Sequence, residues 1–234
     1  MVKLYIAETG APPQELGGTW PRYGVQFETM LEEAGGGFEV VYVDVENGDP
    51  LPEPEEGAAL LVTGSPKGSY EGHAFIPPLE SSVRDWAAAR RPVVGICFGH
   101  QLIAQAFGAR VEKSAMGWGV GVHTHEILGE TPWRGGPDRF ACAVSHQDQV
   151  VFLPDELSRI AGSPFCPNAA LLHRELPVLT FQAHPEFTHD YAAALLTLRR
   201  DRIPADRVEA GLRSLENGSD RALMGRWIRE FLLR

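Results

Sequence analysis

The chain has 234 residues, 44% hydrophobic and 22% charged, a length and balance that bury a substantial core. Its formal net charge of −10 weighs against nucleic acid or an anionic membrane as the main partner. No apolar run reaches the roughly 18 residues of a membrane span, and no linker, repeat or low-complexity stretch divides the sequence.

In chain order, apolar and β-branched runs at 2–7, 38–45, 58–63 and 92–97 predict strands buried on both faces. Helical periodicity at 22–33 and 78–90 falls between them, and the acidic, Pro- and Gly-rich stretch 46–56 reads as a solvated loop. This alternation predicts an α/β fold with three layers: a mostly parallel central sheet with helices on both faces. Past residue 107 the texture changes. Short strands are predicted at 109–112, 120–128, 139–144 and 169–173 as a small antiparallel extension, with a return to the sheet at 177–183. The tail is helical: Tyr191, Ala194, Leu195 and Leu198 share one face, as do Val208, Leu212 and Leu215, and Leu223, Trp227, Ile228 and Phe231. These stripes are expected to pack on the sheet.

One domain over 1–234 is the simplest organisation, with a core of about 1–200 and a helical tail of about 201–234. Cys97, Cys142 and Cys166 form no disulfide framework, and the segment MVKLYIAE reads as a strand rather than a signal peptide, so a cytoplasmic setting is expected. Asn217-Gly218-Ser219 matches a glycosylation acceptor and reads instead as a turn or cap.

The most informative run is GICFGHQLIAQAF at 95–107. An apolar strand leads into it. Leu102, Ile103, Ala106 and Phe107 then recur at helical spacing, and Gly108 marks the stop. Gly95 and Gly99 flank Cys97 at minus two and plus two, as a tight strand-to-helix turn requires. Cys97 would lie at a helix N-terminus, which favours a thiolate. On this run alone it reads equally as a nucleophile or as an inert core thiol.

A thiol nucleophile needs a base, and the base needs an orienting group. In Phe181-Gln182-Ala183-His184-Pro185-Glu186, His184 follows a predicted strand, at the sheet edge where Cys97 also lies, and Glu186 can turn back to accept its N–H. Gly64-Ser65-Pro66 ends another strand at the same edge. Its backbone N–H groups, with that of Phe98, are candidates for an oxyanion hole. Lys67-Gly68 lacks the phosphate-loop order, so nucleotide binding is rejected there.

Taken together, GICFGHQLIA, AHPEF and the segment SHQDQV at 145–150 resemble the class I, or triad-type, glutamine amidotransferase family across about residues 58–187. The resemblance implies a flavodoxin-like amidotransferase fold and a Cys97, His184, Glu186 triad. It implies that Gln101 and the backbone or side chains of Ser145 and His146 hold glutamine, and that Gly64-Ser65 supplies oxyanion donors. Many relatives carry Gly-Gly at that loop, which leaves the donor open. No cofactor and no metal are implied.

The activity implied is a stand-alone glutaminase that forms a cysteine thioester and releases glutamate and ammonia, with a separate synthetase as ammonia acceptor. The signature S-G-G-x-D-S of a fused synthetase is absent from the sequence. A γ-glutamyl hydrolase or peptidase, and a non-catalytic binding or regulatory module, are the alternatives. His123 and His125 alternate on a strand and could share a metal, although a solvated strand face explains them too. His100 is expected to point away from the thiol, and Trp118 to shape the pocket wall or join the core. His73, His173 and His189 carry no argument.

Overall fold

The computed structural model describes residues 1–16, 18–133 and 135–234. The strands are β1 (Val2–Ala7), β2 (Phe38–Val43), β3 (Ala58–Val62), β4 (Val93–Ile96), β5 (Arg110–Lys113), β6 (Gly119–Ile127), β7 (Arg139–His146), β8 (Asp148–Phe152), β9 (Leu157–Gly162), β10 (Ala170–His173) and β11 (Val178–Phe181). The helices are α1 (Tyr23–Glu33), α2 (Ile76–Ala88), α3 (Phe98–Ala106), α4 (His189–Leu198), α5 (Ala205–Ser214) and α6 (Arg221–Leu232).

Nine strands form one sheet in the order β2-β1-β3-β4-β11-β10-β9-β6-β7. From β2 to β11 the pairing is parallel, and from β11 to β7 it is antiparallel. β5 and β8 pair by themselves. The parallel order 2-1-3-4 followed by β11 is the flavodoxin-like arrangement, whose ligands sit beyond the carboxyl ends of the strands.

Strand alternation builds the layers. In β1, Leu4 and Ile6 face one side and Tyr5 and Ala7 the other; in β3, Leu61 opposes Leu60 and Val62. The first side is covered by α1 and α6 through Phe27, Met30, Trp227 and Phe231. The second is covered by α2 and α3 through Leu79, Trp86, Leu102 and Ile103. Helices α4 and α5 close over the antiparallel half, where Val120 packs with Leu196 and Val208. The tail helices thus lie on the sheet, α5 and α6 by the stripes that their sequence predicts.

Several boundaries and faces differ from the sequence reading. β8 and β9 were not anticipated: β8 lies partly within a motif read for its chemistry, and Ser158 and Arg159 interrupt the apolar run of β9. β2 stops at Val43 before a short 3-10 turn at Val45–Asn47, and α2 starts at Ile76 with prolines in its first turn, where a missing N–H is harmless. On α4 the buried stripe is Tyr191, Ala192, Leu195 and Leu196, while Leu198 is exposed. His123 and His125 do not lie on a solvated face. Thr124 and Glu126 take that face, His125 is buried against Phe140, and His123 meets Phe165 edge-on. Among the described residues no group of three or more His, Cys, Asp or Glu is placed to hold a metal. No described helix is long and apolar enough to cross a membrane.

Candidate active site

The site begins where β4 turns into α3. Cys97 occupies that corner at φ 54° and ψ −101°, a left-handed φ rarely adopted by a residue with a side chain. Neighbouring strands hold the corner: Cys97 N–H donates to the Phe181 carbonyl at 2.8 Å, and Gly99 N–H to the Thr63 carbonyl at 3.1 Å. The flanking glycines follow from this crowding. A Cβ on Gly95 would meet the Gly99 carbonyl oxygen at 2.5 Å, and one on Gly99 would meet that of Val62 at 2.3 Å.

His184 lies three residues beyond β11, with its N–H donated to the Ala143 carbonyl at 2.8 Å. Its Nδ1 donates to Glu186 Oε1 at 2.7 Å, and both side chains are buried. This leaves Nε2 as the free ring nitrogen. Burial alone would discharge the imidazole. The Cys97 sulfur and the Glu186 carboxylate overcome burial and raise its pKa to about 10. The ring is also stacked on Phe187.

The third element is the loop after β3. Thr9 Oγ1 donates to the Gly64 carbonyl at 3.0 Å, and Thr9 N–H donates to Thr63 Oγ1 at 3.1 Å, tying the loop to the end of β1. In a planar trans peptide the Ser65 N–H points opposite to the Gly64 carbonyl, hence away from Thr9. Ser65 Oγ accepts from Lys67 N–H at 3.2 Å, so its side chain is engaged in the turn. Gly64 sits close against the site: a Cβ would lie a tight 3.0 Å from His184 Cε1 and 3.7 Å from Cys97 Cβ.

These parts converge on a cavity of about 250 Å³ lined by Cys97, Phe98, Ser65, Gln101, Ser145 and Asp148, among others. A smaller space of about 20 Å³ lies between Cys97 and His184. The larger cavity of about 580 Å³ beside Phe75 and Pro78 is lined by neither cysteine nor histidine. Gln101 Nε2 donates to the Asp148 carbonyl at 2.9 Å and to Gln182 Oε1 at 3.1 Å, which holds the amide against the cavity wall. Ser145 Oγ accepts from Arg199 Nη1 at 2.8 Å. His146 lines the cavity, but its ring is packed inward. Nδ1 donates to the Asp148 carbonyl at 3.1 Å, and burial lowers its pKa to about 3, so the side chain is neutral.

Cys97, His184, Glu186, Gly64, Ser65, Phe98, Gln101 and Ser145 are therefore assembled in one place. His100 is not among them: it is buried and shares a 2.7 Å hydrogen bond with Thr180. Trp118 lines the cavity wall. The sequence reading missed the charged lining. Asp148, close to Tyr70 and Lys113, has its carboxyl pKa raised chiefly by burial. It lay inside a motif already singled out. Arg199 and Arg202 come from the segment 199–202 that follows α4, which the sequence analysis did not single out.

The fold and the site define a class. The family model described as glutamine amidotransferase class-I matches residues 22–197, and the chain belongs to that family. Among its relatives is a glutamine-hydrolysing GMP synthase subunit from Methanospirillum hungatei, 30% identical over 170 residues, covering 72% of this chain and 85% of that protein. The protein of the same name from Archaeoglobus fulgidus is 32% identical over 145 residues, covering 62% and 75%. A solved glutamine amidotransferase of Thermotoga maritima shares the fold with a TM-score of 0.75 at 21% identity, covering 99% of this chain and 96% of that one.

Proposed function

We propose that this chain is a cysteine-dependent glutaminase that opens the side-chain amide of glutamine and supplies the ammonia to a separate synthetase. The observation that carries the reading is the Cys97, His184, Glu186 arrangement, with the imidazole charged between a sulfur and a carboxylate. The partner reading rests on relatives that are named as glutamine-hydrolysing subunits of GMP synthase.

The Cys97 thiolate attacks the amide carbon, and the carbonyl oxygen becomes an oxyanion. Phe98 N–H, at the first turn of α3 with no intrahelical acceptor, is one donor to it. Ser65 N–H, turned away from Thr9, is the second donor in this reading, with the Gly64-Ser65 loop as its source. The His184 imidazolium gives its proton to the departing nitrogen, ammonia leaves, and a γ-glutamyl thioester remains on Cys97. Neutral His184 then takes a proton from water, the resulting hydroxide attacks the thioester, and glutamate is released with the thiolate restored. Glu186 keeps Nδ1 protonated, so that Nε2 exchanges the proton in both steps. Gln101 and the Ser145-His146 backbone, which line the same cavity as Cys97, hold the glutamyl part.

Incubating the purified chain with glutamine, alone and with a candidate synthetase, tests this directly. Ammonia and glutamate are expected in equal amounts, and Cys97→Ser abolishes both. Equal release from the native and Cys97→Ser chains would refute the assignment.

A further inference from the structure

The two half-reactions place different demands on the site. The departing nitrogen is bonded to the acyl carbon, and that bond carries it to the His184 imidazolium. The water that follows is free, and holding it in line costs entropy unless a fixed group receives it. Beside the thiol is a space of about 20 Å³, room for one water molecule, lined by Cys97, His184, Ser65 and Tyr23 among others.

Tyr23 belongs to none of the segments that carry the triad, the oxyanion donors or the glutamyl contacts. It opens α1, and the end of β1 fixes it there: Glu8 Oε1 accepts from Gly24 N–H at 2.9 Å, and Glu8 Oε2 pairs with Arg22 Nη1 at 3.0 Å. The ring is buried in an apolar cluster with Phe187, Leu195 and Leu215, where a phenylalanine would pack as well. Yet it carries a hydroxyl, and so does Tyr191 beside it. The Tyr191 O–H donates to Tyr23 Oη at 3.2 Å; among the described residues Tyr23 accepts this bond and donates none. Burial raises the Tyr23 pKa and keeps the group protonated, with the Arg199 guanidinium, the Glu186 carboxylate and the Cys97 sulfur close enough to act on it. A buried O–H without an acceptor is costly, and the space it lines beside the thiol is where an acceptor fits.

We propose that Tyr23 holds the hydrolytic water against the γ-glutamyl thioester and is a catalytic residue of the second half-reaction, with Tyr191 as its positioning residue. This rests on the cysteine glutaminase reading above. The hydrogen bonds then run in one direction: Tyr191 donates to Tyr23, Tyr23 to the water oxygen, and the water to the neutral Nε2 of His184, each bond strengthening the next. The water oxygen bonds to the acyl carbon while its proton passes to Nε2. The C–S bond breaks with its electron pair on sulfur, and glutamate leaves.

The test offers one thioester two nucleophiles. The native chain, Tyr23→Phe and Tyr191→Phe are each mixed with glutamine and a fixed concentration of hydroxylamine, and γ-glutamyl hydroxamate and glutamate are measured. Hydroxylamine is the stronger nucleophile, so its attack depends less on being held. Tyr23→Phe is expected to raise the hydroxamate-to-glutamate ratio about five- to tenfold, and Tyr191→Phe to raise it by a smaller factor. A slower first half-reaction, or a smaller fraction of folded chain, leaves this ratio unchanged, so a merely structural role does not move it. A native ratio in Tyr23→Phe overturns the assignment; if that variant does not fold, a native ratio in Tyr191→Phe overturns it instead. A native chain that makes neither product, or makes both equally as Cys97→Ser, removes the thioester and this proposal with it. A Cys97-dependent native chain with an unmoved ratio in the variants removes the role of Tyr23 alone.

Discussion

The imidazole of His184 lies flat against the ring of Phe187, with centroids 4.0 Å apart and planes 8° from parallel. Phe187 in turn meets Tyr191 edge-on at 4.6 Å, so the first turn of α4 braces the ring from behind. With Nδ1 held by Glu186, the stack leaves the ring one orientation, with its remaining nitrogen available on the Cys97 side.

Removing the orienting carboxylate tests this coupling. Glu186→Gln keeps the shape but loses the anion that fixes the tautomer. It is expected to lower kcat on the order of 10²–10⁴-fold with little change in KM. Steady-state kinetics with glutamine check it, and a variant with undiminished kcat would remove Glu186 from the mechanism.

The charge on His184 has a pH signature. Its folded pKa is raised from 6.5 to about 10 against the opposition of burial, so between those values the folded chain holds a proton that the unfolded chain has released. The His184 contribution to stability is therefore complete below about pH 6.5 and declines as pH rises toward about 10. NMR titration is expected to show this imidazole still charged at pH 8 in the native chain. In Cys97→Ser, which lacks the sulfur that helps raise it, its midpoint should move downward.

Crowding at the corner gives a stability prediction. Gly99→Ala would place a Cβ against the Val62 carbonyl oxygen and is expected to destabilise the chain by about 1–3 kcal/mol. Gly72→Ala, which meets open space at an ordinary φ, should shift stability by no more than about 0.5 kcal/mol. Urea denaturation of the two variants measures the contrast.

The C-terminal helix provides another. Trp227 of α6 stacks on Trp133 with centroids 4.1 Å apart and joins the core that covers β4 and β11. Trp227→Ala is expected to cost about 3–5 kcal/mol, well above a substitution in a loosely attached tail. A urea midpoint close to that of the native chain would contradict this packing.

Much of this architecture was legible in the residues. The parallel strands announce themselves because burial on both faces leaves unbroken apolar runs such as 58–63, and the corner announces itself because only glycine tolerates the approach at 95 and 99. The proximity of His184 and Glu186 follows from their spacing of two around a proline. Polar interruption hid β9, and a chemical motif hid β8. The inward turn of His125 was hidden because a strand face lined by histidine reads as solvated until Phe140 is seen packing on it. Arg199 and Arg202 were hidden for a further reason. A basic helix end looks alike in any sequence, and only the tertiary path of α4 brings it to the wall of the cavity that Cys97 lines.

The central claim is a covalent one: Cys97 carries the glutamyl group between two half-reactions. The most direct measurement is acid-quenched mass spectrometry of the chain mixed with glutamine, followed by peptide mapping. The account predicts a thioester equal in mass to glutamine less ammonia, located on the peptide containing Cys97 and absent from Cys97→Ser. Glutamate formation with the adduct on another residue, or undiminished in Cys97→Ser, would contradict it.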